Sequence, residues 1–130
     1  MKTLADKVKA LLPMLEQRGP VDLFALFERE ETSGKWDIVL SSEWSDQDSI
    51  AAMRLISDAL VPKLNPEELS ALSRVFIAPS HDPAVEELID REQPPHVERF
   101  YASGIEFMGV PIRQFYIFQT RKMLRVGVAV

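Results

Sequence analysis

Two short polar segments carry the residue types from which a site would be built. Ser41-Ser42-Glu43-Trp44-Ser45-Asp46 follows one apolar run, and Pro79-Ser80-His81-Asp82 follows another. Hydroxyls, carboxylates and an imidazole on such short segments suggest nucleophilic or acid–base work. Ser80, His81 and Asp82 even hold the residue types of a hydrolytic triad. Consecutive side chains on a turn point apart, however, whereas a triad needs a relay of hydrogen bonds. No Gly-x-Ser-x-Gly elbow exposes a nucleophile. Helix capping accounts for Ser45 and Asp82 without chemistry. Ser41, Ser42, Trp44, Asp46, Ser80, His81 and Asp82 therefore define a candidate anion- or ligand-binding cleft, and no residue is assigned as catalytic.

Other constellations are weaker. His81 and His96, with Asp82, Asp90 or Glu98, supply metal-ligand types, but at no recognised spacing. No metal or cofactor is assigned. Arg99, Phe100, Tyr101, Arg113, Phe115, Tyr116, Phe118, Arg121 and Lys122 interleave aromatic and basic residues as single-stranded nucleic-acid binders do. The same spacing builds a core, and a net charge of −5 disfavours nucleic acid. Glu28, Glu30 and Glu31 read as a solvated acidic surface at a helix end. Trp44, in a polar loop, is either a plug at the sheet edge or a contact anchor.

The elements that must position these residues follow from periodicity and punctuation. Leu4, Val8, Leu11 and Leu15 predict an amphipathic helix over 3–18, kinked or split at Pro13. Gly19-Pro20 breaks it, and Val21 to Glu30 reads as a second helix opened by Pro20. Trp36 to Leu40 is the first expected strand. A helix starts at Ser45, with Asp48 completing a capping box, and its regular part stops at Pro62. Asn65-Pro66-Glu67-Glu68 opens a short helix ending near Leu72. Arg74 to Ala78 is the second, buried strand. Asp82-Pro83 opens a helix through about Glu92, which Gln93-Pro94-Pro95 stops. Val97 to Tyr101 and Ile105 to Met108 are strand pieces. Gly109-Val110-Pro111 is a turn, and Ile112 to Phe118 is the clearest strand. On it Ile112, Gln114, Tyr116 and Phe118 face one way, with Arg113, Phe115 and Ile117 opposite. Both faces are partly apolar, so this strand is central rather than an edge.

The expected fold is α/β (or α+β), with 1–130 as one globular domain. It has a mixed sheet of about four strands, β-α-β crossovers, a C-terminal antiparallel hairpin and two N-terminal helices. If the first two strands are parallel, both polar segments leave the same sheet edge, where open α/β sheets bind ligands. The apolar stretch 126–130 is a flexible or edge-pairing tail.

Composition bounds the function. The hydrophobic fraction of 46% and charged fraction of 27% suit a soluble globular chain. Without cysteine, disulfides and thiol chemistry are excluded. Charges interrupt the N-terminal apolar stretch, which argues against a signal peptide. No run reaches the roughly 20 apolar residues of a membrane span. A cytoplasmic location without membrane contact is expected. Acidic residues crowd 22–48 and basic ones 99–125, which suits a protein partner or a second copy of the chain. The leading reading is a non-catalytic protein-interaction or regulatory module, self-associating or part of a complex. The alternatives are a small-molecule or anion-binding protein or small enzyme using 41–46 and 80–82, and single-stranded nucleic-acid binding through the C-terminal strands.

Overall fold

A computed structural model describes residues 3–32, 34–91 and 100–121. The N-terminal stretch forms two helices, α1 (Leu4–Lys9) and α2 (Leu12–Glu16). Pro13 causes the split: it fits the first turn of α2, where its missing N–H is not needed. Thr3 and Asp6 close a reciprocal capping box on α1. Val8, Leu11 and Leu15 are buried, as their spacing predicts.

The next segment is not a helix. Leu23–Arg29 is strand β1, at the centre of a five-stranded sheet. Its apolar residues serve both faces: Phe24 and Leu26 join one core cluster, and Leu23, Ala25 and Phe27 join the other. A strand buried on both faces loses the alternation that would reveal it.

β2 (Trp36–Ser41) pairs antiparallel with β1. Helices α3 (Glu43–Gln47), α4 (Ser49–Leu60) and α5 (Pro66–Ala71) then carry the chain to β3 (Leu72–Ile77). β3 runs parallel to β2, as the crossover pattern requires. It is an edge strand with Ser73 and Arg74 exposed, so the expected full burial does not hold. The capping box expected at Ser45 also divides differently. Ser42 caps α3 and Asp48 caps α4, because the chain interrupts its helix between Gln47 and Ser49. Asn65 and Glu68 form the expected capping box on α5, and Pro62 lies in the 3₁₀ turn that follows α4.

α6 (Pro83–Arg91) precedes β4 (Phe100–Phe107) and β5 (Val110–Thr120), which form the C-terminal hairpin. The hairpin turn is Met108-Gly109, one residue earlier than expected. Both have positive φ, 53° and 81°, as a two-residue mirror-image turn demands. The strand order is β3-β2-β1-β5-β4, with β5 interior as expected. β5 is not strictly alternating. Register shifts skip Arg113 and Phe118 opposite β1. Ile112 consequently packs with Phe115 and Ile117 rather than on the Tyr116 side.

Helices cover both faces. α1, α2 and α4 pack on Phe24, Leu26, Ile38, Leu40 and Phe118. α6 packs on the opposite face through Val85, Leu88 and Ile89. No helix among the described residues is long and apolar enough to cross a membrane. The tail 126–130, His96, Glu98, Arg99 and Lys122 lie outside the described residues.

Candidate functional site

The pairing directions bring the ends of β2, β3 and β5 and the start of β1 to one sheet edge. The two polar segments do leave together. Ala78 N–H donates to the Leu40 carbonyl at 2.8 Å. Asp46 then ties the exits: its carboxylate accepts the Ser80 N–H at 3.0 and 3.1 Å and the Ser80 hydroxyl. This tie joins α3 to the turn before α6 along one rim.

The other residues at the rim have local duties. Ser42 is buried and extended. Its hydroxyl accepts the Ser45 N–H at 3.1 Å and donates to the Ser45 hydroxyl at 2.7 Å, which in turn donates to the Ser42 carbonyl. Both hydroxyl protons are thus committed to hydrogen bonds within the cap. Ser41 is buried, with its carbonyl accepting from Asp22 N–H and its hydroxyl unpartnered among the described residues. Asp82 caps α6, accepting from Ala84 N–H at 2.9 Å. His81 adopts a left-handed φ of 63° and places Nε2 3.6 Å from the Glu43 carboxylate, with both side chains largely exposed. Trp44 belongs to a different depression. It leans on Gly19, where an added Cβ would meet Cδ1 at 2.8 Å. It lines a cavity of about 280 Å³ with Arg18, Gln47 and Asp48. Among the described residues, no group of three or more metal-ligating side chains converges.

Two residues that periodicity did not single out anchor this edge. Asp22 is fully buried, and one of its oxygens accepts from Arg121 Nε at 3.1 Å and Nη2 at 2.7 Å. Its other oxygen has no partner among the described residues. Burial pushes the Asp22 carboxyl above its ordinary range; Arg121 opposes the shift, Glu43 adds to it and His81 weakly opposes it. Asp22 lies two residues past Pro20 of the Gly19-Pro20 break, a position read as the opening of a helix, and only the register of β1 with β5 shows its partner.

A pH dependence follows. Above its raised pKa the ionised, buried Asp22 costs stability. As pH falls through its raised pKa, the folded chain takes up a proton that the unfolded chain does not hold until its own lower pKa of about 3.9. The Asp22 contribution to stability therefore rises with falling pH across that window. Asp22→Asn is expected to remove this slope. Urea midpoints of both chains, measured across that pH range, check it; parallel curves would refute the assignment.

The sheet also uses much of the charge separation internally. Arg121 meets Asp22, and Arg113 Nε lies 3.9 Å from Glu28. Glu28 itself is buried, which corrects the solvated reading for that residue; Glu30 and Glu31 are exposed as expected. The register of β1 between β2 and β5 forces Glu28 inward, where Gly34 N–H and Gln114 Nε2 donate to it.

A second concavity lies at the other end of the sheet, on the α6 face. It encloses about 240 Å³ above Phe27, Val39, Phe76 and Ile112, with Arg29, Asp37 and Arg74 at its rim. Sequence reasoning missed it because its residues come from separate strands and share no local motif. Asp37 and Arg74 are register partners across β2 and β3. The chain matches no family model, no curated protein and no solved structure, so its function must be argued from these surfaces.

Proposed function

We propose that this chain is a non-catalytic interaction module that self-associates through α4. The observation carrying this reading is a stripe of large apolar side chains left open to solvent. Ile50, Met53 and Val61 are 63%, 40% and 41% exposed, and helical spacing aligns them on one side of α4 and its continuing turn. An amphipathic helix that buries Ala52, Ile56 and Leu60 inward has no intrachain need for apolar residues outward. Arg54 and Asp58 flank the stripe, exposed and without an ion pair among the described residues.

A two-fold, antiparallel pairing of α4 with its copy uses all of these features. It sets Ile50 against Val61 and Arg54 against Asp58, twice over, with the small Ser57 near the axis. The polar residues of the strand exits support the same reading, since their hydrogen bonds serve caps and the Asp46–Ser80 tie.

Light scattering coupled to size exclusion tests the proposal on the full chain. The expected result is a dimer that Ile50→Glu converts to a monomer with an unchanged circular dichroism spectrum. Arg54→Asp and Asp58→Arg should each weaken the dimer, and the double exchange should restore it. A chain monomeric throughout its soluble concentration range, or a dimer indifferent to Ile50→Glu, overturns it.

A further inference from the structure

We infer that the 240 Å³ trough beside α6 is a binding site for a small carboxylate with a flat or branched apolar body, read by Arg74. This site is independent of self-association through α4 and of the strand exits.

The argument begins with the rim. Asp37 is 5% exposed, and its Oδ2 lies 3.0 Å from Arg29 Nε and 3.2 Å from Arg74 Nε. Its other oxygen is out of reach of solvent. Two guanidinium groups thus share one carboxylate oxygen, so Arg74 has no carboxylate to itself at the rim. Arg29 is consumed within the fold: its terminal nitrogens reach Glu31 at 3.4 Å and Ser73 at 3.1 Å. Arg74 is not. Its Nε is held by Asp37, its guanidinium carbon sits 4.9 Å above the Phe76 ring, and its side chain is 46% exposed. Its terminal nitrogens have no partner among the described residues. Held on one edge and stacked on one face, the fork is preorganised with its outer N–H groups free.

The trough selects the rest of the ligand. Its floor of Phe27, Val39, Phe76 and Ile112 offers no polar side chain, so the body must be apolar. A volume of about 240 Å³ falls just below the range of roughly 300–1,000 Å³ for drug-sized ligands, so the ligand is closer to one ring with a short acid arm. A single carboxylate matches the fork of Arg74 in two parallel hydrogen bonds. A cation would meet two arginines, and a neutral amide offers the Arg74 fork one acceptor oxygen in place of two.

Titration of the isotope-labelled full chain with benzoate, phenylacetate, benzamide and benzylamine tests this inference by amide chemical-shift mapping. Either carboxylate should bind saturably and shift amides of β1, β2 and β3 around the trough. Benzamide should bind at least about tenfold more weakly, the loss expected for a charge-assisted pair, and benzylamine should not bind. Arg74→Gln should weaken the carboxylate by about tenfold or more, with Arg74→Lys in between. Ile50→Glu should leave binding unchanged, which separates this site from the α4 surface. No saturable binding of either carboxylate, equal binding of benzoate and benzamide, or indifference to Arg74→Gln each overturns the inference.

Discussion

Phe24→Ala is expected to destabilise the chain by about 3–5 kcal/mol, among the largest costs of any single truncation. Phe24 is completely buried on the central strand and packs at 5.6 Å, tilted, against Phe118. Neither neighbour can follow the shrinking side chain, because β1 is hydrogen-bonded on both sides. A cavity therefore remains, and its cost adds to the lost burial. Urea unfolding followed by circular dichroism measures the effect as a lower midpoint at unchanged slope. A milder pair distinguishes the strand from a helix. On a helix Phe24 and Phe27 would share a face and couple. On β1 they point into opposite clusters, so Phe24→Leu and Phe27→Leu should add within about 0.5 kcal/mol.

Glu28→Ala should cost about 3 kcal/mol. Its carboxylate accepts from Gly34 N–H and from Gln114 Nε2, at a position only 3% exposed. Hydrogen bonds to a charged group contribute roughly 1.5–3 kcal/mol each, and alanine would take this acceptor away from both donors. Relief of the buried charge returns part of that loss. Glu28→Gln keeps one acceptor oxygen for Gly34 and should cost clearly less than alanine. Equal destabilisation by the two substitutions would mean that side-chain packing, not the acceptor, holds the turn.

Much of the fold was legible because local chemistry and tertiary structure agree. Asn65-Pro66 and Asp82-Pro83 mark helix starts by capping and by a proline that needs no N–H donor. The interior position of β5 follows from apolar residues on both faces. The parallel relation of β2 and β3 follows from the helices between them, and it places 41–46 beside 80–82. The same logic failed at β1. Leu23-Phe24-Ala25-Leu26-Phe27 is apolar throughout, so neither period two nor period 3.6 stands out, and Pro20 tilted the reading to helix. At the exits, residue types suggested a cleft, and the bonds that hold Ser42 in a cap and Asp46 on Ser80 were not legible in those types. Arg29, Asp37 and Arg74 were invisible as a group, because only strand register brings them together.

The strand order also sets a schedule for folding. β1 is synthesised just before its partner β2, but its other neighbour is β5, with Leu23 opposite Thr120. Until the last described strand exists, the middle of the sheet has an open side, with a row of unpaired N–H and C=O groups beside mostly apolar side chains. Closing so long a loop adds little to the equilibrium cost, since that cost grows only with the logarithm of length. It slows the rate, and it lengthens the time in which a nascent chain can pair with the wrong strand. The first half of this sequence, expressed without β5, should therefore aggregate rather than remain as a folded fragment.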